Sequence, residues 1–244
     1  MKILIIGEVC TDRFIVGDVD RVCPEGPVPI LKKVSETESQ GMAGNVLRGF
    51  ETLRPDYKID SYLGFCGIKT RYVDERSKYI LLRVDEKDHV DKPLCIKRFK
   101  RLIKDGEYDA VVISDYNKGF LSEELLKEIS DNCPVGLFLD TKKVLSNWSV
   151  DFDFVKINEH EYRNNKNVID DMGEPEDFCY SLIVTYGSKG CICFRDDTIL
   201  HSSSYNNGTH DVSGAGDSFL VGFVTKYLET VDIQQALDLS LIHI

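Results

Sequence analysis

Short apolar runs recur along the chain, each closed by glycine, aspartate or asparagine: "KILIIG" (Lys2 to Gly7), "DAVVISD", "GLFLD", "DFVKIN" and "SLIVTYG". Runs of this kind predict strands buried on both faces of a parallel sheet. Between them, helical spacing predicts helices over Ala43 to Leu53, Pro93 to Lys104, Ser122 to Asn132 and His160 to Asn165, with a further one after Ser213. Such alternation implies an α/β fold, a mostly parallel sheet with helices on both faces. Ligands of these sheets bind beyond the carboxyl ends of the strands. That rule points to Glu8 to Asp12, Asp115 to Gly119, Asp140 to Lys142, Asn158 to Glu161 and Gly187 to Gly190.

Two segments break the pattern. "RFIVGDVDRVCPEGPVPILKKV" carries three prolines among its β-branched residues and reads as extended edge chain, while "IKTRYVDERSKYILLRVDE" reads as a hairpin turning at Asp74 to Lys78. Together, over residues of about 12–34 and 68–86, they predict a small β-sheet projecting from a single domain that spans 1–244. From pattern alone this sheet is either a lid over the strand ends or an ordinary edge extension. The polar stretch "NNKNVIDDMGEPED" reads as a solvated loop.

Composition narrows the classes of function. The 244 residues are 42% hydrophobic, enough for a sizeable core, and the net charge of −11 argues against a general nucleic-acid or anionic-membrane surface. The eight cysteines include no C-x-x-C pair and read as reduced thiols of a cytoplasmic protein; Cys191 and Cys193 fall in a strand pattern and read as core. No apolar run reaches membrane-spanning length, and "MKILIIGEV" is too short for a signal peptide.

The chemistry is concentrated in "THDVSGAGDSFLVGF". Phe219, Leu220, Phe223, Val224, Tyr227 and Leu228 recur on one helical face, with Ser213 the expected N-cap. Glycine inside a helix costs about 1 kcal/mol relative to alanine, so Gly214 and Gly216 in the first turn weaken it by about 2 kcal/mol. Unpartnered first-turn N–H groups at the positive end of the helix dipole form an anion site, and glycine lets a phosphate approach them without meeting a β-carbon. The residues alone equally allow a tight loop entering a core helix, with Asp217 complementing the dipole.

Several motifs, in chain order, resemble the ribokinase-like (PfkB) family of sugar kinases: "GMAGNV", "NEHE", "VTYGSKG" and "DVSGAGDSF". Within that family, "GEVCTDRF", "RVCPEGPVP", "LRVDE" and "SDYNKG" are most similar to the heptose 7-phosphate kinase domain of lipopolysaccharide-precursor enzymes that make ADP-heptose. The resemblance spans nearly the whole chain. It implies a ribokinase-like fold, ATP and Mg2+ as cofactors, and transfer of the γ-phosphoryl group to a sugar hydroxyl, in the heptose kinases the anomeric one.

By this resemblance Asp217 is the catalytic base, Gly214, Ala215 and Gly216 give backbone N–H groups to the transferring phosphoryl group, and Asp211 helps hold the loop or the metal-bound phosphates. Asn158 and Glu161 are assigned to Mg2+ through its waters; read without the family, the same pair is a capping asparagine and first-turn glutamate. Thr185, Gly187 and Gly190 are placed beside the nucleotide, and also suit a tight turn. On the sugar side stand Asp12, Gly41, Gly44 and Asn45, with Lys69, Arg71, Arg83 and Lys118 available to a sugar phosphate or, as bland alternatives, to an exposed strand edge. The resemblance also allows a homodimer paired through the lid.

The sequence departs from the family in three places. The family's paired glycine is here Gly41-Met42, which either narrows the sugar pocket or turns into the core. A helix and strand expected between "YLGFCG" and "IKTRYVDE" are absent, which predicts a smaller sheet. After "QQALDLSLIHI" the family continues into elements that complete the adenine pocket. Two classes of function follow: an active, compact sugar kinase, or a kinase-fold sugar-phosphate-binding or scaffold protein with little turnover. A dinucleotide-dependent oxidoreductase is set aside, because G-x-G-x-x-G does not follow the first strand.

Overall fold

A computed structural model describes residues 1–172, 179–204 and 214–242. The order is β1 (Lys2–Val22), β2 (Pro29–Met42), α1 (Ala43–Leu53), β3 (Lys58–Asp74), β4 (Ile80–Glu86), α2 (Ile96–Gly106), β5 (Ala110–Asp115), α3 (Glu123–Asn132), β6 (Gly136–Thr141) and β7 (Phe154–Asn158). There follow α4 (Glu159–Met172), β8 (Leu182–Thr185), β9 (Cys191–Arg195), β10 (Thr198–Ser202), α5 (Ala215–Thr230) and α6 (Ile233–Ile242). One sheet runs β10-β9-β8-β7-β6-β5-β1-β3-β4, with β2 paired to β1. Strands β3, β1, β5, β6, β7 and β8 are mutually parallel; β9, β10, β2 and β4 join antiparallel.

Alternation along β1 builds both layers. Leu4 and Ile6 enter one core with Val111, Ile113, Phe120 and the α3 residues Leu125, Leu126 and Ile129. Ile3 and Ile5 enter the other with Val46 and Phe50 of α1 and Phe219, Leu220, Phe223 and Val224 of α5. The α5 face read from the sequence is the buried one. Phe138 and Phe154, stacked at 5.2 Å between ring centroids, give it a flat aromatic floor.

The first strand does not end at Gly7. A β-carbon there would lie 2.1 Å from the Ser114 carbonyl oxygen and 2.9 Å from Ala43 Cβ, so glycine permits close packing while the strand continues. It continues because partners change along it: β5 pairs with Ile3 to Gly7, β2 from Val9 onwards, and β3 from Lys2 to Gly17. Asp12 consequently lies within β1, not after it. The projecting sheet is formed by the far halves of β1 and β3 with β2 and β4, continuous with the main sheet. The hairpin pairs Ile68 with Glu86 as the sequence predicts, and β3 runs directly through the place where the extra helix and strand are missing.

Two other expectations are corrected. α4 extends to Met172, through most of the stretch read as a loop; Tyr162 and Val168 pack on the core, and buried Asn165 between them accepts the Leu145 amide and donates to the Glu161 carbonyl. A polar residue satisfied inside the helix hid its apolar stripe. α5 begins at Ala215, with Gly214 at the N-cap in left-handed conformation (φ 79°), so Gly214 is not in the first turn and the cap is not Ser213, which lies outside the described residues.

Candidate active site

The N-terminus of α5, the strand ends of β5 and β6, and the root of the projecting sheet enclose a cleft of about 310 Å3. Asp12, Asn45, Lys69, Arg71, Arg83, Lys118, Gly214 and Asp217 of the predicted residues line it, together with Cys10, Met42, Tyr116 and Lys142.

Asp217 sits in the first turn of α5, 3% exposed. Asn45 Nδ2 donates to its Oδ2 at 2.9 Å, and the Tyr116 hydroxyl donates to its Oδ1 at 2.8 Å. Arg48 donates to Asn45 Oδ1 at 2.6 Å, which fixes the amide so that its NH2 faces the carboxylate. Burial holds the Asp217 carboxyl above the ordinary aspartate range; the Asn45 bond opposes this, Asp140 adds to it, and Tyr116 and the Lys156 charge pull it back. The same burial, with the charge of Asp217, pushes the Tyr116 phenol far upward, so it stays a donor.

Beneath the helix start lies a buried ion pair, Lys156 Nζ to Asp140 Oδ2 at 2.8 Å. Burial works against the Lys156 charge, but Asp140, Glu161 and Asp217 outweigh it and the ammonium pKa is raised. A β-carbon on Gly216 would lie 2.8 Å from Lys156 Nζ, so this glycine lets the helix backbone close over a cation. The first intrahelical bond runs from the Ser218 amide to the Gly214 carbonyl, leaving the amides of Ala215, Gly216 and Asp217 ahead of the helical ladder.

On the side of the projecting sheet, Arg71 Nη1 donates to Asp12 Oδ1 at 2.6 Å. Arg83 holds Asp85 through Nε and Nη2 at 2.7 and 2.8 Å. Lys69 reaches Asp88 at 3.2 Å and Asp85 at 3.4 Å, and Lys118 pairs with Asp88. Both aspartates are held below the usual carboxylate range, chiefly by the bonds from Arg83 and Lys118 respectively. All four cations border the cleft; the side chains of Lys69, Arg71 and Lys118 are mostly covered there, whereas Arg83, on edge strand β4, is also exposed to solvent. Gly41 lies in β2 against the Asp12 carboxylate, where a β-carbon would be 2.0 Å from Oδ2. Gly44 packs on Gln40 and Val9, so it supports α1 and does not face the cleft. Met42 is buried with Cys10 and Cys66 and also borders the cleft.

At the end of β7, Asn158 and Glu161 form a reciprocal capping box: the Glu161 amide donates to Asn158 Oδ1 at 2.9 Å, and the Asn158 amide to Glu161 Oε2 at 2.7 Å. Burial, then Asp140, raises the Glu161 pKa against that bond. Among the described residues no group of three or more His, Cys, Asp or Glu side chains is arranged to hold a metal ion by itself. Thr185 ends β8, and Gly187 and Gly190 bracket a single 3-10 turn, both at positive φ. Asp211 lies outside the described residues.

Tyr116, Lys142, Lys156, Asp140 and Glu8 carry much of this geometry without having been given roles from the sequence. Glu8 is fully buried and its carboxylate accepts the amides of Tyr116, Lys118 and Phe120 at 2.8, 3.1 and 3.2 Å, which holds the loop bearing Tyr116. Glu8, Tyr116, Asp140 and Lys142 all fall in the strand-end windows; Lys156 was visible only as a charge inside an apolar run.

Comparison with known proteins places this arrangement. Residues 122–240 match the family described as pfkB family carbohydrate kinase. Over these residues the chain is similar to the carbohydrate kinases of that family. It is 27% identical over 258 residues to the bifunctional protein HldE of a Nitratiruptor species, covering 90% of this chain and 55% of that protein. It is 26% identical over 280 residues to HldE of Campylobacter concisus, covering 98% and 59%. The chain thus spans a little over half the length of these curated relatives. The fold is that of a Methanocaldococcus jannaschii nucleoside kinase of the ribokinase family, with TM-score 0.67, 18% identity and coverage of 98% of this chain and 89% of that one. Escherichia coli phosphofructokinase-2 in complex with fructose-6-phosphate shares it at TM-score 0.69 and 13% identity, covering 98% and 90%. Among the described residues no helix is long and apolar enough to cross a membrane.

Proposed function

We propose that this kinase domain transfers the γ-phosphoryl group of ATP to a hydroxyl of a phosphorylated sugar, and that its acceptor is a heptose 7-phosphate, giving the 1,7-bisphosphate. The observation that carries the reading is Asp217: a buried carboxylate at a glycine-rich helix start, held by two donors, in one cleft with Lys69, Arg71, Arg83 and Lys118. The family supports ATP as donor. A sugar phosphate bound by a protein of the same fold, and the likeness of "SDYNKG" and "LRVDE" to heptose kinases, support the acceptor.

Asp217 accepts the hydroxyl proton as the sugar oxygen meets phosphorus; its raised basicity helps, although a loose transition state asks mainly for late guidance of the proton. The amides of Ala215, Gly216 and Asp217, with the dipole of α5, stabilise charge spreading over the phosphoryl oxygens. The acceptor's own phosphate meets the lid cations, exchanging with Asp85 and Asp88. Asn158, Glu161 and Asp140 fit Mg2+ held mostly by phosphate and water, since the charge of Asp140 is felt at Glu161 and, among the described residues, no group of three or more His, Cys, Asp or Glu is arranged to hold a metal by itself. When bound, Mg2+ would neutralise nucleotide phosphate charge.

The test is ADP release with Mg-ATP and a panel of hexose and heptose phosphates. Heptose 7-phosphate should give the fastest release, and Asp217→Asn should remove the sugar-dependent part. Sugar phosphate binding without ADP release would instead favour the scaffold reading. We also propose that a second copy pairs along the edge of the lid, where Tyr79, Ile80 and Leu82 are exposed on and beside edge strand β4. Leu82→Asp should then lower the mass measured by light scattering, and a monomeric wild type would refute the pairing.

A further inference from the structure

We propose that the ammonium group of Lys142 is a further catalytic group, which donates hydrogen bonds to the phosphoryl group in transit. The inference rests on the kinase reading above.

The cations around the cleft differ in one respect. Lys69, Arg71, Arg83 and Lys118 each hold an aspartate, Lys156 holds Asp140, and Lys143, next in the chain, holds Asp115 at 3.0 Å. Lys142 borders the same cleft as Gly214 and Asp217, yet among the described residues it has no acidic partner at ion-pair distance. Its contact is the ring of Tyr116, 4.5 Å from Nζ to the centroid, and the hydroxyl of that ring donates to Asp217. A paired lysine must give up a carboxylate before it can meet a phosphate; Lys142 need not.

Its root is fixed while its head is free. The Lys142 amide donates to the Asp115 carbonyl at 3.1 Å, and neighbouring Thr141 is buried with its hydroxyl donating to Asp115 Oδ2 at 2.6 Å. The side chain itself is exposed. Its place is between two halves of the site. It touches the residue that holds the base, and its charge is also felt at Glu161, where it pulls against the upward shift caused by burial. The lid cations spring from β3, β4 and the loop after β5, on the acceptor side. Lys142 springs from the end of β6, beside the start of α5.

In the step itself, the sugar oxygen forms a bond to the γ-phosphorus while the bond from that phosphorus to the bridging oxygen breaks. The hydroxyl proton passes to Asp217 and the electron pair leaves with ADP. Lys142 keeps its protons and donates to the oxygens that gather charge, a contact stronger in the transition state than before it.

The experiment compares Lys142→Met and Lys142→Arg with wild type, reading sugar-dependent ADP release and basal ATP hydrolysis. For Lys142→Met, kcat should fall about 100- to 1,000-fold, as for loss of one preorganised donor. KM for both substrates should stay within about threefold, because the lost contact belongs to the transition state. Lys142→Arg should retain part of the rate. Mg-ADP with aluminium fluoride should bind Lys142→Met more weakly than wild type, while Mg-ADP alone binds equally. Wild-type turnover matched by Lys142→Met, or a rise in KM at unchanged kcat, overturns this inference alone. Absence of turnover by the wild type with every acceptor and with water overturns the kinase reading and this inference with it.

Discussion

Adding one methyl group at Gly214 or at Gly216 should have opposite consequences for stability and function. At Gly214 the space is open, with nothing nearer to a β-carbon than Asn45 Nδ2 at 3.6 Å, but φ is 79°. An L-residue there carries about 1–2 kcal/mol of left-handed strain. In a chain of this size 1 kcal/mol shifts the melting temperature by about 2–4 °C, so Gly214→Ala should melt lower by about 2–8 °C. At Gly216 the conformation is helical and alanine gains about 1 kcal/mol of propensity. The new β-carbon, however, would lie 2.8 Å from Lys156 Nζ, which is buried and paired with Asp140. Relieving that contact displaces the ammonium or lifts the first turn, at a cost of about 1–3 kcal/mol for an overpacked site. Gly216→Ala should therefore melt between about the wild-type temperature and about 8 °C below it, its two effects partly offsetting. Its kcat should nevertheless fall at least about tenfold, since 1.4 kcal/mol of lost transition-state contact suffices. Differential scanning fluorimetry and steady-state ADP release on the two variants measure both. A Gly214→Ala protein as stable as wild type, or a Gly216→Ala protein with unchanged kcat, would refute the account of this helix start.

Three further outcomes follow from the same geometry. Asp217 has a folded pKa raised above the ordinary 3.8, so its contribution is fully present below the unfolded value and is lost as pH rises through the folded one. Asp217→Asn should accordingly be more stable at neutral pH by about 1 kcal/mol, a common size for such a relieved conflict, and the gain should shrink in acid, as read by thermal melts across pH. Glu8→Gln keeps the shape but places an NH2 against one of three amide donors, which should cost about 1–3 kcal/mol and lower kcat through the Tyr116 loop, seen in paired melts and rates. Met42 stands at φ 58°, so Met42→Gly should relieve about 1–3 kcal/mol of strain and lose a similar amount of burial. Its melting point should barely move while KM for the sugar changes as the cleft widens.

The layered sheet was legible because the strand cores are apolar runs and α5 has a clear helical stripe; periodicity records which side meets a core. Strand ends were much less legible. β1 looks complete at Gly7, yet it runs on to Val22 because β2 and β3 offer hydrogen bonds there, and no local residue records that offer. α4 was cut short for the converse reason, since Asn165 is polar in sequence and satisfied in place.

Asp217 was singled out by the family resemblance of the glycine-rich stretch that carries it, a feature local in the chain. Its setting was not local: Asn45 and Tyr116 reach it from 172 and 101 residues away, and Lys156 lies under the adjacent glycine. Lys69, Arg71, Arg83 and Lys118 could be named as a charged set, but only the fold brought them to one cleft and matched them with Asp12, Asp85 and Asp88. Residue type and local spacing thus determined the layers of this protein and its glycine-started helix, and the family resemblance of those residues named the candidate base. Which carboxylates are buried, which cations are already paired and which cleft lysine keeps its ammonium available among the described residues were decided by tertiary structure, because desolvation and ion pairing depend on distances between segments far apart in the chain.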